Sequence, residues 1–294
     1  MVQTLEHLEH TGTQEDAANG STLVQGKISL VLPAHNEEPN IRAVVEEAAQ
    51  VLPTAFSDYE IVVVNDGSKD RTLEISQQLA EANTHVRVVN HPVNRGYGAA
   101  VTSGFNAATG DFIMFMDSDR QFDINDIHRL TPFVPDYDIV AGYRIKRNDP
   151  AHRLLNAKIF GTVVRLLFPI KVRDIDCAFK IIHASVLHGI NLQSPGALIN
   201  TEILAKAAVQ GCTLIEVGVN HYPRMEGEQS GANLRVVVRA FREILRLWWR
   251  MRTYTPPSGE VIQPPPMWRG YILFASIAAG GLLFLRAIFR LIRR

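Results

Sequence analysis

The sequence predicts an α/β fold in which a mostly parallel β-sheet carries helices on both faces. Short runs of β-branched residues alternate with helical patterns along the first half of the chain. The predicted strands lack an alternation of polar and apolar residues, which is typical of strands that are covered on both faces. The chain has 294 residues, 46% of them hydrophobic, which is enough to bury one large core. One large domain with appendages is therefore expected.

The predicted elements follow one another in the strand–helix order that gives parallel strands. The strands are residues 28–32, 59–65, 85–89, 111–116, 138–142 and 213–219, with a short strand pair around residues 174–182. The helices are residues 39–51, 70–82, 97–108, 152–168 and 200–210. Ligands of such sheets bind beyond the carboxyl ends of the strands. A functional site is therefore expected where these strands end.

Residues 232–253 have the pattern of an amphipathic helix at a membrane surface. Its arginines share one helical face, namely Arg235, Arg239, Arg242, Arg246 and Arg250. The apolar side, with Leu245, Trp248 and Trp249, is expected in the headgroup region of the bilayer, with the arginines near anionic lipid. The alternative is a solvated helix that packs on the core of the domain.

The last part of the chain predicts a hydrophobic membrane helix. A proline-rich linker, residues 254–267, leads to an apolar segment with a basic tail, residues 268–294. The uncharged run 270–285 covers about 24 Å as a helix, against about 30 Å of bilayer hydrocarbon. We therefore expect a single-pass or monotopic attachment to the membrane. At the other end, residues 1–24 are polar and predict a disordered leader.

Charge and cysteine content restrict the partners and the compartment. Lys+Arg and Asp+Glu balance at 30 each, so the whole-chain charge does not indicate a nucleic-acid partner. The two cysteines, Cys177 and Cys212, are too few for a disulfide framework, which favours a reducing compartment. No basic and apolar signal peptide begins the chain, so the main domain, residues 25–231, is expected on the cytosolic side.

A short acidic turn follows the apolar run 112–116. Asp117 and Asp119 come directly after this predicted strand, separated by Ser118. Carboxylate oxygens at such a position suit Mg²⁺ or Mn²⁺, ions that commonly bind substrate phosphates. Gln121 could supply a third oxygen, directly or through water. The acidic turn therefore predicts a metal site that neutralises a diphosphate leaving group.

The first two predicted strands also end in polar turns, PAHNEE and NDGSKDRT. A nucleotide could enter where these turns lead into helices. Asp66 could accept hydrogen bonds from a base or a ribose hydroxyl, although capping the next turn is a common use of Asp before Gly-Ser. Asp70 is expected to cap the following helix and is assigned no other role.

The resemblance to a known family rests on five segments in a fixed order: PAHNEE, NDGSKDRT, NRGYGAA, MDSD and DIDCAFK. Together they resemble the family 2 inverting glycosyltransferases, which have the Rossmann-like GT-A fold. Within that family the chain is most similar to dolichol-phosphate mannose synthases and their bacterial polyprenyl-phosphate relatives. The resemblance covers about residues 27–249. It implies metal-dependent transfer of a hexose from a nucleotide diphosphate-sugar to a polyprenyl phosphate at the cytosolic membrane face.

The resemblance also implies roles for individual positions. Contacts with the nucleotide are implied for Pro33, His35, Glu37, Val64 and Asp66. Binding of the metal and the diphosphate is implied for Asp117, Ser118, Asp119 and Gln121. Arg144 and Arg224 occupy positions at which the family uses arginine against donor phosphates, a task that suits the guanidinium fork. The departures from the family pattern lie at His35, at Ala178 and Lys180, and in the loop RMEGEQSGA.

The acceptor need not be activated by a strong base, because a lipid phosphate is already ionised at neutral pH. Positioning and stabilisation of the leaving group would then dominate the catalysis. The candidates to hold the acceptor phosphate are Lys180, Arg153 and Arg224. Asp174 and Glu202 could orient these cations or act as a base towards a hydroxyl acceptor.

Four other functions remain open from the sequence. The runner-up is a nonprocessive glycosyltransferase that acts on a sugar hydroxyl of a cell-envelope glycan or glycolipid. A nucleotidyltransferase would favour a Gly-rich basic loop after the first strand. A dehydrogenase would rest on Gly96, Gly98 and Gly104, whose spacing differs from that of a dinucleotide-binding motif. A noncatalytic sugar-sensing protein would not need the intact Asp117 and Asp119.

Overall fold

The computed structural model describes residues 23–145, 151–224, 234–257, 259–261 and 268–272, without the side chains of residues 151–156 and 234–241. Residues 1–22 of the expected leader and most of the expected membrane anchor lie outside the described residues, as do the side chains of Arg153, Arg235 and Arg239. Within the described ranges, no helix combines the length and the apolar character that a membrane crossing requires.

Seven strands form one sheet. They are β1 (Val24–Ala34), β2 (Phe56–Asp66), β3 (Val86–His91), β4 (Phe112–Met116), β5 (Ile139–Arg144), β6 (Phe179–His183) and β7 (Leu214–Val219). Their order in the sheet is β3-β2-β1-β4-β6-β5-β7. Strand β6 runs antiparallel to β4 and β5, and the other pairs are parallel. The structure confirms the α/β class and the mostly parallel sheet.

In the described residues up to 257, eight α-helices accompany the strands. They are α1 (Ile41–Ala55), α2 (Thr72–Ala82), α3 (Tyr97–Ala107), α4 (Ile127–Leu130), α5 (Ala151–Leu167), α6 (Ala184–Leu187), α7 (Ile199–Gln210) and α8 (Leu234–Met251). The apolar face of α1 buries Ile41, Val44, Val45 and Ala48. Helix α3 lies close to the sheet because Gly104 brings its backbone near Val31, where a Cβ would meet Val31 Cγ1 at 2.2 Å.

The central strands are buried without alternation. Every residue of β1 from Ile28 to Ala34 is buried, as is every residue of β2 from Glu60 to Asp66 and all of β4. This burial confirms the inference drawn from their apolar runs. Their carboxyl ends reach the same edge of the sheet, because β1 pairs in parallel with both β2 and β4.

Three expectations about the elements are corrected. The strand pair around residues 174–182 is a single strand, β6, which begins at Phe179 and completes the sheet between β4 and β5. Strand β1 begins at Val24, four residues before the predicted start, because Val24 pairs with Phe56 across an irregularity before Lys27. The short helices α4 and α6 were not predicted from the sequence, since four residues are too few to show a helical period.

Helix α8 packs on the domain by one face and is exposed on the other. Its buried side chains, Ile244, Leu247, Trp248 and Met251, join a second core cluster with residues of α5 and α7. The sequence pattern placed Trp248 on the side expected to contact lipid, but the structure buries it in this cluster. The opposite face exposes Leu245 and Trp249 together with arginines. The structure thus bears out packing of one face on the domain. Contact of the exposed face with a membrane stays a prediction.

Candidate active site

The loops that follow β1, β2 and β4 meet at the carboxyl edge of the sheet. Ser118, directly after β4, is buried and donates a hydrogen bond from Oγ to the carbonyl oxygen of Pro33, at 2.9 Å. This bond joins the acidic turn to the end of β1. The sequence expected both segments in one site, and the structure brings them together.

The acidic turn carries two carboxylates whose protons are held tightly. Burial and the neighbouring charge of Asp119 raise the pKa of Asp117 from its ordinary value to about 7. Burial also raises the pKa of Asp119, although its Oδ1 accepts a hydrogen bond from the backbone N–H of Gln121 at 3.1 Å. Directly after Asp119, Arg120 has a φ of 60°, in the left-handed region that favours glycine. Two like charges and a strained residue thus lie at one strand tip, a combination that is common at functional sites.

Arg224 contacts this turn although it lies far from it in the sequence. Its Nη2 donates to Glu37 Oε1 at 2.7 Å, and its Nη1 lies 3.7 Å from Asp119 Oδ2. Burial raises the pKa of Glu37, whose second oxygen accepts from Asn40 Nδ2 at 2.8 Å. One guanidinium therefore links the first motif to the acidic turn, as expected of residues that share a site.

The segment before Arg224 is fastened to Gln121. The backbone N–H of Tyr222 donates to the carbonyl of Gln121 at 2.8 Å, and Gln121 Nε2 donates to the carbonyl of Tyr222 at 3.1 Å. The Gln121 side chain therefore uses its amide nitrogen to hold the loop. Its amide oxygen is the group that remains as a candidate metal ligand.

Asp66 has a structural task in the site. Its carboxylate accepts from the backbone N–H groups of Arg95 at 2.8 Å and Gly96 at 2.9 Å, and His91 Nδ1 lies 2.8 Å from Oδ1. Asp66 thus holds the NRGYG segment at the edge of the sheet. Both of its oxygens accept hydrogen bonds from protein groups, and contact of Asp66 with a nucleotide stays a prediction.

The other nucleotide-contacting candidates differ in accessibility. Pro33 and Val64 pair with each other inside the sheet and their side chains are buried. Any contribution they make to a nucleotide site would come from the shape of the strand ends. His35 is exposed at the mouth of the site, with Nδ1 2.8 Å from the carbonyl oxygen of Asp66.

Both oxygens of the Asp174 carboxylate bind the guanidinium of Arg144. Arg144 Nε lies 2.6 Å from Oδ2 and Nη2 lies 2.7 Å from Oδ1 of that carboxylate. Its positive charge still reaches Asp117, where it opposes part of the rise in pKa. Asp174 therefore orients Arg144, whereas the sequence analysis expected it beside the cations proposed for the acceptor phosphate.

Lys180 is buried in the centre of the domain, 1% exposed. Its ammonium donates to the carbonyl oxygens of Ile175 at 3.2 Å and of Cys177, and to Asn200 Oδ1 at 3.2 Å. These three bonds match its three protons, and burial lowers the pKa of the ammonium. The structure thus places Lys180 as a support of the 175–177 turn, where its protons are already used.

Glu202 also supports a loop. Its carboxylate accepts from the backbone N–H groups of Gln193 and Ser194 and pairs with Lys206 Nζ at 2.7 Å. The loop that it holds packs on the start of α3, where the N–H of Gly98 donates to the carbonyl of Pro195 at 2.8 Å. Gly98 is needed there because a Cβ would lie 2.1 Å from the carbonyl oxygen of Ser194.

Tyr97 is a site residue that the sequence analysis missed. It is the first residue of α3, its hydroxyl is buried, and it interacts with the carboxylate of Asp117. Burial and this negative neighbour raise the pKa of the Tyr97 hydroxyl well above its ordinary value. The signal was a tyrosine at the helix start in NRGYG, after a predicted strand that ends beside the site.

The carboxylates of the acidic turn are compatible with a divalent cation whose other ligands come from substrate and water. Within the described parts of the chain, no group of three or more His, Cys, Asp or Glu side chains is arranged to hold a metal. Asp117 and Asp119 supply two hard oxygen donors, and substrate phosphate and water commonly complete the shell of Mg²⁺. A cation there would also relieve the repulsion that raises the pKa of Asp117. The residues present therefore fit a metal that arrives with a phosphate ligand.

Comparison with protein families gives one match, to the model described as glycosyl transferase family 2, over residues 29–190. Among curated proteins, the chain is 28% identical over 237 residues to glycosyltransferase AglD of Haloferax volcanii, with 76% of this chain and 37% of that protein covered. It is 32% identical over 233 residues to the dolichol-phosphate mannosyltransferase of Pyrococcus furiosus, covering 75% of this chain and 63% of that protein. The chain thus spans between about one third and two thirds of these relatives.

A third relative is dolichyl-phosphate beta-glucosyltransferase ALG5D of Trichomonas vaginalis, 33% identical over 171 residues, with 52% of each protein covered. Among solved structures, glucosyl-3-phosphoglycerate synthase from Mycobacterium tuberculosis, in complex with Mn²⁺, UDP-glucose and phosphoglyceric acid, matches with a TM-score of 0.57 at 20% identity. The match covers 76% of this chain and 80% of that one. This likeness shows a shared GT-A fold.

Proposed function

The chain belongs to glycosyl transferase family 2, and we propose that it transfers a hexose from a nucleotide diphosphate-sugar to a polyprenyl phosphate. The observation that carries the proposal is the meeting of Asp117 and Asp119 with Arg224 and Glu37 at the carboxyl edge of the sheet. The printed names of two relatives, a dolichol-phosphate mannosyltransferase and a dolichyl-phosphate beta-glucosyltransferase, support the class of acceptor.

The donor would lie across the ends of β1, β2 and β4. His35 and Glu37 line its nucleotide side, and the Asp66 carboxylate supports that side by holding the NRGYG segment. Mg²⁺ or Mn²⁺ held by Asp117 and Asp119, with Gln121 as a further oxygen ligand, would offset the charge that develops on the departing diphosphate. A donor phosphate would compete with Glu37 and Asp119 for Arg224, whose guanidinium can bind two phosphate oxygens.

The acceptor side would be formed by the segment from β5 to α7. Arg144, fixed by Asp174, presents a positive charge near Asp117, where it would face the donor phosphates from this segment. An ionised acceptor phosphate needs no base, so these residues act by position and charge. Lys180 and Glu202 would contribute indirectly, because each holds a loop of this segment in place.

The proposed organisation places this chemistry at the cytosolic face of a membrane. Residues 25–231 would form the catalytic domain and residues 232–253 an interfacial helix. The exposed Leu245 and Trp249 of α8 support contact with lipid. Residues 254–267 would link this helix to the anchor, residues 268–294.

Transfer can be tested with the full chain in detergent. Labelled GDP-mannose, UDP-glucose and UDP-N-acetylglucosamine are supplied in turn with undecaprenyl or dolichyl phosphate and Mn²⁺. We expect one donor to give a labelled lipid in the organic phase. Chelation, or Asp119→Asn, should lower the rate at least about 100-fold, because the leaving group loses its counter-charge.

The matched control is Asp136→Asn, which removes an exposed carboxylate near the start of β5, at the opposite edge of the sheet. This variant should transfer sugar at the rate of the unchanged protein. Full activity of Asp119→Asn with the metal chelated would refute the mechanism. Label found only in water-soluble glycans would instead favour transfer to a sugar hydroxyl.

A further inference from the structure

A groove lies between α8 and the loop that precedes α7. The loop belongs to the segment proposed for the acceptor side, but no residue that lines the groove is assigned a contact with the donor, the metal or the acceptor phosphate. Its volume is about 660 Å³. Its walls come from two segments, and the lining residues are Gln193, Ser194 and Pro195 of the loop and Glu243, Leu245, Arg246, Trp249 and Arg250 of α8. We call this cavity the α8 groove.

Two residues that line the α8 groove each have a polar atom without a hydrogen-bond partner in the described part of the chain. They are Ser194 Oγ and Arg250 Nε, both buried. The Ser194 side chain is 97% shielded, since the residue is only 3% exposed. Buried polar groups in folded proteins are nearly always hydrogen-bonded. The Ser194 hydroxyl and the Arg250 Nε–H are therefore two donors that could bind the oxygen atoms of a ligand after a small side-chain shift.

The charges at the α8 groove favour an anion. Arg246 and Arg250 both line it, against one acid, Glu243. The Glu243 carboxylate lies towards Gly196, where it would be 3.2 Å from an added Cβ. Arg250 also donates from Nη1 to Gln193 Oε1 at 2.7 Å, which fixes its guanidinium against the loop. The net positive charge and the fixed donor suit a phosphate group.

The remaining walls of the α8 groove are apolar and lead to an aromatic surface. Trp249 is 61% exposed at the rim, and Arg252 lies over its ring at 4.3 Å from the centroid. Arg252 also lies 5.8 Å from the ring of Tyr271, beside the exposed Trp268. Exposed Trp and Tyr together with Arg are typical of protein surfaces at the level of lipid headgroups.

We propose that the α8 groove binds the phosphate headgroup of an anionic membrane phospholipid, with Ser194 and Arg250 as donors to its oxygens. The proposal rests on the membrane attachment included in the proposed function, but not on the sugar transfer itself. The headgroup would sit between the two segments while its acyl chains pass along Leu245 and Trp249 into the bilayer. This assigns one specific lipid contact within a generally basic helix.

The test is binding of the full chain to vesicles, measured without any sugar donor. Vesicles of phosphatidylcholine are compared with vesicles that contain phosphatidylglycerol in addition. Ser194→Ala removes the buried hydroxyl without changing charge, and we expect it to weaken binding to the anionic vesicles about fivefold to tenfold. Arg250→Gln should weaken it further, because it also removes a charge.

The charge control is Arg242→Gln, which removes an exposed arginine of α8 that does not line the groove. General attraction to an anionic surface predicts up to about a fivefold loss for this variant and no loss for Ser194→Ala. Unchanged binding of Ser194→Ala would therefore overturn the proposal. Inorganic phosphate is added as a competitor of the vesicles. Loss of vesicle binding at millimolar phosphate would also overturn the proposal, in favour of a soluble anion.

Thermal unfolding separates binding from a structural role of the hydroxyl. Because Ser194 Oγ has no partner in the described residues, its removal should leave the Tm unchanged or raise it. A marked fall in Tm together with weaker vesicle binding would mean that the loop itself had been damaged, and it would count against the groove. Absence of sugar transfer with intact vesicle binding would remove the proposed activity and leave this inference in place.

Discussion

Replacement of Asp117 by asparagine should stabilise the metal-free protein, and more so at alkaline than at acid pH. The folded protein raises the pKa of this carboxyl from 3.8 to about 7, through burial and the charge of Asp119. It therefore holds the proton more tightly than the unfolded chain does. Protonation of this carboxyl in the folded state therefore contributes stability. This stabilisation is complete below about pH 4 and is lost as the pH rises through about 7.

The magnitude follows from the size of the shift. One pKa unit corresponds to about 1.4 kcal/mol, and roughly two units separate pH 5 from the folded pKa. The stability gain of Asp117→Asn should therefore be about 2 to 3 kcal/mol larger at pH 8 than at pH 5.

The assay is urea unfolding of both proteins in EDTA at pH 5 and pH 8, followed by circular dichroism. Asp136→Asn, which changes an exposed carboxylate, should show the same stability as the unchanged protein at both values, within about 0.5 kcal/mol. Added Mn²⁺ should stabilise the unchanged protein at pH 8 and have little effect on Asp117→Asn. An equal gap between the two proteins at pH 5 and pH 8 would refute the reasoning.

Three further substitutions test other parts of the site. Gly98→Ala should lower the free energy of unfolding in urea by at least about 1 to 3 kcal/mol, because its Cβ would lie 2.1 Å from the carbonyl oxygen of Ser194. In the control Gly161→Ala the new Cβ meets only a flexible arginine, so this variant should be neutral or stabilising. Lys180→Met should lower the free energy of unfolding by about 2 to 5 kcal/mol, because it leaves three oxygens without a donor. A raised KM for the acceptor with unchanged stability would show instead that Lys180 binds phosphate. Arg120→Gly should raise stability by up to about 1 kcal/mol by removing left-handed strain, and Arg120→Ala, which keeps the strain, should not.

The sequence was sufficient for the elements whose signal is local. The apolar runs placed β2 and β4 closely, and the helical periods placed α2, α3 and α7 within a few residues. The single strand β6 was predicted as a strand pair because its pairing with β4 and β5 depends on residues more than 30 positions away. No local pattern fixes such a choice.

The composition of the site was foreseen better than its contacts. The sequence grouped Asp117, Asp119 and Arg224, and the structure places them at one edge. It could not show that Asp66 would be used by backbone groups of the NRGYG segment, since that depends on how β3 leads into α3. Tyr97 was missed for the same reason. It begins α3, whereas Asp117 follows β4, and the two residues are 20 positions apart in the sequence.

The pairing of charges explains why the donor and the cation should bind together. Arg144 is compensated by Asp174, and Arg224 is drawn mainly to Glu37, so Asp117 and Asp119 carry negative charge that these arginines only partly offset. A diphosphate brought to this edge alone would meet repulsion from both carboxylates, and a cation alone would lack the phosphate ligands that complete its shell. Each ligand should therefore increase the affinity for the other by the same factor. Nucleotide diphosphate titrated with and without Mn²⁺ should show this coupling in the unchanged protein, and equal affinities in the two titrations would contradict it.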